Sequence, residues 1–263
     1  MDREKFMAKY ELKEYPTSVE IDSRKVIPGS TFFALKGKFS DGHDYIMDAV
    51  KRGAKCIVGE NVANKKSNGI RFIRVEDAFS FLNIYSFEFY EEFLKKADIY
   101  GITGTNGKTS TSYFLAEIFE DQGIKTSVIG TIKHLIAGAE IPADNTTSFA
   151  NELFKLIKKS VENNVNNIVM EVSSHGLHQD RIHGIGLKGG IITNITQDHL
   201  DYHKTIEGYV ESKEKIFDYL EKEAPVIMNS DCERSMEVAE KYKNKNIITV
   251  GKEGDYKIEE YEL

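Results

Sequence analysis

Gly101-Ile102-Thr103-Gly104-Thr105-Asn106-Gly107-Lys108-Thr109-Ser110 is the stretch that sets the reading of this chain. It ends an apolar, strand-like run and opens a segment of helical character from Thr109. A strand, a glycine-rich turn and a helix in this order form the context of a phosphate-binding loop. Glycines let backbone N–H groups turn inward around phosphate oxygens, and the helix N-terminus adds partial positive charge. In that reading Gly104 to Ser110 cradle the phosphates, Lys108 reaches the outer ones and Thr109 offers a hydroxyl to Mg²⁺. Ile102 stands where the general pattern has a glycine five residues before Gly107, so this is a variant loop.

Outward from the loop, the pattern repeats. Strand-like runs at 126–130, 168–172, 190–195, 226–228 and 247–250 alternate with helical segments from Thr109, Ser148, Thr205 and Glu233. Such alternation predicts a mostly parallel sheet covered on both faces. Upstream, residues 18–97 read as a separate small α/β unit. Its strand-like runs lie at 18–21, 31–35, 55–58 and 71–75. A helix is predicted over 44–52, closed by Gly53, and another over 78–97 with Ala78, Leu82, Tyr85, Phe89 and Phe93 on one stripe. The expected organisation is an α/β protein with a first domain at 1–97 and an incomplete phosphate-loop domain at 98–263.

Composition narrows the function classes. The 263 residues carry 35 Lys plus Arg against 42 Asp plus Glu, a net charge of -7, which argues against a nucleic-acid or anionic-membrane partner. No run approaches the roughly 20 apolar residues of a bilayer span. The N-terminus is charged from its second residue, unlike a secretory signal, so a cytoplasmic location is expected. Cys56 and Cys232 are too few for a disulfide framework or a metal cluster.

Two further strings sit at predicted strand ends, where open α/β sheets bind ligands. They are Met170-Glu171-Val172-Ser173-Ser174-His175 and Thr193-Asn194-Ile195-Thr196-Gln197-Asp198-His199. Glu171 and His199 are candidates for a second cation, although either alone also reads as a solvated carboxylate or a structural imidazole. In the helix from Thr205, Lys213 shares a line with Ile206, Val210, Phe217 and Leu220. A lysine on a buried face either snorkels to the rim or is paired or modified. Carbamylated by CO₂, it offers oxygen ligands that suit a hard cation. Thr147 or Ser148 reads as a helix cap or as part of an anion site. Arg181 is placed for a two-pronged contact with a carboxylate, or for ordinary surface duty.

Taken together, GITGTNGKTS at 101–110, NTTS at 145–148, MEVSSHGLHQDR at 170–181, TNITQDHLDYH at 193–203 and YVESK at 209–213 resemble the Mur ligases. These are the ATP-dependent amide-forming enzymes of peptidoglycan synthesis. The likeness is strongest to the branch that adds the third residue of the stem peptide. IDSRKVIPGSTFFALKG at 21–37 and DGHDYI at 41–46 resemble that branch's uridine-nucleotide domain. The resemblance implies ATP on Gly104, Thr105, Asn106, Gly107, Lys108, Thr109 and Ser110. It implies two Mg²⁺ sites, one at Thr109 and one at Glu171, His199 and carbamylated Lys213. Lys108, Glu171, His199 and Lys213 become the catalytic set. Asn145, Thr146, Thr147, Ser173, Gln179 and Arg181 would bind UDP-N-acetylmuramoyl-dipeptide. Ile21 and Ser23 would line the uridine site, with Lys38, Phe39 and Ser40 nearby.

The implied reaction joins an amino acid to the substrate's D-glutamate through an acyl phosphate. Two anions must meet, which is why cations and Lys108 are needed. The family's third domain has no counterpart before Leu263, so a separate chain supplying it, or a non-catalytic nucleotide or UDP-sugar binding fragment, is the alternative expectation. A guanine-specific P-loop enzyme is disfavoured, because no Asn-Lys-x-Asp occurs.

Overall fold

The computed structural model describes residues 2–37 and 40–257. It divides into two compact units, Met1–Glu92 and Phe93–Leu263. The expected boundary at 97/98 stands a few residues further along the chain.

In the first unit, α1 (Arg3–Lys9) precedes the strands β1 (Val19–Glu20), β2 (Thr31–Ala34), β3 (Cys56–Gly59), β4 (Lys65–Ser67) and β5 (Ile70–Arg74). Between β2 and β3 runs α2 (Ile46–Lys51), and α3 (Ala78–Leu94) follows β5. The sheet order is β1-β2-β3-β5-β4, parallel except for the β4–β5 hairpin. Asn68 and Gly69 both take positive φ at the hairpin turn, the conformation that lets a two-residue turn follow the strand twist. The helix predicted over 44–52 begins instead as a 3-10 turn, Gly42–Tyr45, before α2. The stripe on α3 is a core stripe: Ala78, Leu82, Tyr85 and Phe89 are buried.

In the second unit the strands are β6 (Asp98–Thr103), β7 (Thr126–Ile129), β8 (Lys133–Ile136), β9 (Ala139–Pro142), β10 (Asn167–Glu171), β11 (Leu187–Ile192), β12 (Val226–Asn229) and β13 (Ile247–Val250). The helices are α4 (Lys108–Asp121), α5 (Ala150–Glu162), α6 (Ser174–His178), α7 (Leu200–His203), α8 (Ile206–Glu214) and α9 (Glu233–Lys241). Among the described residues the strands form one sheet in the order β13-β12-β11-β6-β10-β7-β8-β9. It is parallel from β13 to β7, and a β8–β9 hairpin closes one edge antiparallel. The hairpin was not legible as strands in the sequence.

This order puts β6 between β10 and β11. Glu171 pairs in register with Ile102, and Ile192 with Thr103, so three strand ends finish side by side. The chain leaves β6 toward β7 and later returns on the other side through β11. That reversal is the topological switch point where open α/β sheets leave a crevice. Gly101 permits the close packing: a Cβ there would press on the Leu187 side chain at 2.9 Å.

Candidate functional site

The loop between β6 and α4 is held open by its own backbone and by the end of β11. Gly104 has φ +145° and Gly107 φ +83°, both in the region that glycine tolerates. A Cβ on Gly104 would overlap the Thr193 hydroxyl. The Thr105 amide donates to the Asn194 carbonyl (2.9 Å) and the Asn106 amide to Asn194 Oδ1 (3.0 Å). Thr193 Oγ1 and Asn194 Nδ2 donate back to the Asn106 carbonyl at 2.7 and 3.1 Å. Beyond the loop, the first amides of α4 have no partner within their own helix, which leaves donors for an anion. Asn106, Gly107 and Ser110 are exposed there.

Two lysines meet on one carbonyl of this loop. Lys108 Nζ donates to the Gly104 and Thr105 carbonyls at 2.8 and 2.9 Å. Lys213 Nζ donates to the same Gly104 carbonyl at 2.7 Å. Lys213 is 1% exposed, so the snorkelling alternative does not hold. Its amine is pushed from 10.5 down to about 7, first by burial, then by repulsion from Lys108, with Asp198 opposing. Burial also lowers the Lys108 pKa, against attraction from Glu171 and Asp198. The Lys213 amine lies 4.6 Å from the centre of the Tyr209 ring, whose hydroxyl bonds Thr105 Oγ1 at 3.0 Å. The helix predicted from Thr205 to Leu220 stops earlier than expected. α8 ends at Glu214, and Lys215–Asp218 forms a 3-10 turn that carries the buried Phe217.

Glu171 closes the other side of the loop. It is buried, and its Oε2 accepts from Thr109 Oγ1 (3.0 Å) and Thr131 Oγ1 (2.9 Å). Its Oε1 accepts from the Thr131 amide at 2.9 Å. Gly130 is required beside it, because a Cβ there would collide with Oε1. Sequence reasoning missed Gly130 and Thr131. Their signal was a Gly-Thr pair at the end of a strand neighbouring the one that carries Glu171.

Thr146 and Thr147 adjoin this carboxylate. Thr131 Oγ1 bonds Thr146 Oγ1 at 3.1 Å. Thr147 does not cap a helix, nor does Ser148: α5 starts at Ala150 with Phe149 as its N-cap and no side-chain cap bond. Thr147 Oγ1 instead donates to the Glu171 carbonyl (3.1 Å) and accepts from the Ser173 amide (2.9 Å). Ser173 caps α6 by accepting from the Gly176 amide. Arg181 is buried rather than surface-exposed. Its nitrogens donate to the Thr147 carbonyl and to Gln179 Oε1, and its guanidinium lies over the Phe149 ring at 4.3 Å. Asn145 is exposed.

His199 lies at the rim of this group, its ring centroid 6.5 Å from that of the Tyr209 ring, which the Lys213 amine overlies. It takes the left-handed conformation (φ 50°) at the start of α7, and its side chain is 49% exposed. Its Nε2 lies 3.5 Å from Asp198, and its ring meets His175 edge-on with centroids 4.9 Å apart. Among the described residues no hydrogen bond or ring contact joins His199 to Glu171 or Lys213. Nor do three His, Cys, Asp or Glu side chains there converge to hold a metal. Ile21 and Ser23 lie in the first unit. Ser23 is buried, and its hydroxyl bond holds the Asp48 carboxyl below its usual range. Lys38 and Phe39 fall outside the described residues. Both cysteines are free thiols.

The Mur ligase middle-domain model matches residues 102–262, and the model of the Mur ligase family catalytic domain matches residues 16–94. The chain belongs to the Mur ligase family. Curated relatives within this family are named UDP-N-acetylmuramoyl-L-alanyl-D-glutamate--2,6-diaminopimelate ligase. The one from Phocaeicola vulgatus is 38% identical over 87% of this chain and 47% of its own length. The first such ligase of Clostridium acetobutylicum is 42% identical over 80% of this chain and 44% of its own. The chain thus spans about half the length of the Mur ligase relatives it matches. A solved structure of a ligase with that name superposes with TM-score 0.74 and 25% identity, covering 93% of this chain and 51% of that one. The Thermotoga maritima MurF ligase, solved with ADP, gives TM-score 0.65 and 25% identity over 90% and 51%. No helix among the described residues is long and apolar enough to cross a membrane.

Proposed function

We propose that this chain supplies the UDP-substrate and ATP-handling parts of an amide ligase that extends UDP-N-acetylmuramoyl-L-alanyl-D-glutamate. The observation that carries this is the convergence of Lys108, Lys213, Thr109 and Glu171 on one glycine-rich loop. The substrate carboxylate attacks the γ-phosphate of ATP, ADP leaves, and an acyl phosphate results. An amine then attacks the acyl carbon and inorganic phosphate departs. We take 2,6-diaminopimelate, which the relatives' names carry, as the first amine to test. Lys108, already bent over the loop, offsets charge on the transferring phosphoryl group.

The oxygen donors here suit Mg²⁺. The Thr109 hydroxyl and Glu171 carboxylate adjoin the phosphate loop, and hard cations take oxygen ligands completed by phosphate and water. When bound, Mg²⁺ neutralises charge between the phosphates and polarises the one transferred. Lys213 fits carbamylation, since an amine held near pKa 7 is substantially neutral at that pH and a neutral amine is what adds CO₂. The addition forms an N–C bond and releases one proton. His199 is assigned to this group from the rim, next to the Tyr209 ring that Lys213 also meets. Asn145, Thr146, Thr147, Ser173, Gln179 and Arg181 are assigned to the muramoyl-peptide, with Thr147, Ser173 and Arg181 acting through the frame they build around Glu171. Ile21 and Ser23 are assigned to the uridine end.

The test is phosphate release from ATP that requires both the UDP-muramoyl-dipeptide and the amine, and that Lys108→Ala abolishes. A second reading is a nucleotide or UDP-sugar binding module without turnover. Substrate binding without phosphate release selects it. ¹³C NMR in ¹³C-bicarbonate tests the carbamate independently of turnover: a carbamate resonance absent from Lys213→Ala supports it, and no resonance in the unsubstituted chain refutes it.

A further inference from the structure

The first unit carries a cavity of about 180 Å³ at the amino ends of its parallel strands. Thr31 opens β2 there, Cys56 opens β3, and Arg71 lies near the start of β5. Ser23 follows the carboxyl end of β1, at the opposite edge of the sheet. The cavity is therefore separate from the uridine end assigned above.

Its charge runs against that of the chain. The molecule carries -7 overall, yet Lys13, Lys55, Lys66 and Arg71 line this cavity and Glu14 is the single carboxylate among its lining residues. Among the described residues no carboxylate pairs with Lys13, Lys55 or Lys66. The floor adds no negative charge, since burial pushes the Cys56 thiol up to about 12. The Thr31 hydroxyl is bonded to Tyr85.

Arg71 holds an internal stand-in for an anion. One end of its guanidinium pairs with Glu11 at 2.9 Å, and Glu11 is 72% exposed. Its Nη1 donates to the Phe72 carbonyl, while Nε has no acceptor among the described residues. Glu11 is the solvent-exposed partner of this pair, so a stronger anion can take its place on the guanidinium. A displaced Glu11 would leave a largely buried guanidinium on the same cavity as three ammonium groups that have no carboxylate partner among the described residues. Planar guanidinium forks favour carboxylate and phosphate oxygens. Pockets for nucleotide-sized ligands run to about 300–1,000 Å³. This one is too small for a nucleotide and suits a phosphate or diphosphate group.

We infer that this cavity binds a small polyanion, of phosphate to diphosphate size, between Arg71 and the Lys13, Lys55 and Lys66 rim. Inorganic pyrophosphate is the probe, titrated calorimetrically into the full chain in a magnesium-free chloride buffer. Binding is expected to weaken about tenfold in Lys55→Gln/Lys66→Gln. It should tighten in Glu11→Gln, which frees the guanidinium, and persist in Lys108→Ala. The lysines are exposed, so thermal melting of the double variant should match that of the unsubstituted chain. No binding, or binding unchanged in the double variant, overturns the inference. Loss of all binding in Lys108→Ala also overturns it, by assigning the anion to the phosphate loop, and leaves the ligase reading standing.

Discussion

The two strand ends that flank β6 are built to different standards. At the end of β10, Glu171 is buried, accepts three hydrogen bonds from Thr109 and Thr131, and is tied through Thr147 to Ser173 and Arg181. At the end of β11, the first two residues are as firmly held, because Thr193 and Asn194 grip the loop. Beyond them most side chains turn toward the surface. His199 is half exposed in a left-handed conformation, and four imidazoles (His175, His178, His199 and His203) crowd with Tyr202. One side is organised before any ligand arrives, whereas the other keeps a ligand candidate at its rim. Preorganised charge is what stabilises a phosphoryl transfer.

Four substitutions break or sharpen this contrast. Glu171→Ala should do the most, weakening Mg·ATP binding by about a hundredfold by calorimetry. It should also cost about 2 kcal/mol in urea unfolding, since the Thr131 amide and two hydroxyls lose their acceptor. If stability is unchanged, the β10 side is not the organised one. Gly104→Ala tests the grip of β11 on the loop. The added Cβ meets Thr193 at a φ that alanine resists, so about 2 kcal/mol of stability should be lost. His199→Ala should change stability by less than about 0.5 kcal/mol, as expected of an exposed side chain. It should weaken Mg·ATP binding by only about fivefold, equivalent to about 1 kcal/mol. A large stability loss there would reverse the comparison.

The last effect concerns acid and is absent at neutral pH. Burial, then the neighbouring imidazoles and Lys213, push His203 down to about 4. Between about pH 6.5 and 4 the unfolded chain takes up a proton that folded His203 refuses. Stability from this group is therefore complete above pH 6.5, declines as pH falls toward 4, and is level below. His203→Asn should flatten that part of the pH–stability curve, measured by urea midpoint at each pH. An unchanged slope would place the acid sensitivity elsewhere.

Much of the site was legible because its residues belong to contiguous strings. The loop from Gly104 to Thr109 is read by glycine spacing, and Glu171 by its place after an apolar strand. Lys213 showed itself as a charge on an apolar stripe, although the helix carrying it is shorter than the stripe suggested. The Gly130–Thr131 clamp and the Tyr209–Thr105 link were not legible, because each joins residues tens of positions apart through only one or two hydrogen bonds. The β8–β9 hairpin escaped for a related reason. Its four-residue strands carry lysine, histidine and proline, and their pairing comes from the turn and from β7 alongside.

By itself the sequence determined the alternating α/β class and the phosphate loop, since both are written in local periodicity and backbone requirements. Tertiary structure alone decided which partners the charged groups took. Arg181 turned inward to Thr147 and Gln179, Lys213 met Lys108 on one carbonyl, and His199 stayed at the rim. The reason is physical. Burial and pairing set a charged group's energy, and both depend on which strands lie side by side at the switch around β6.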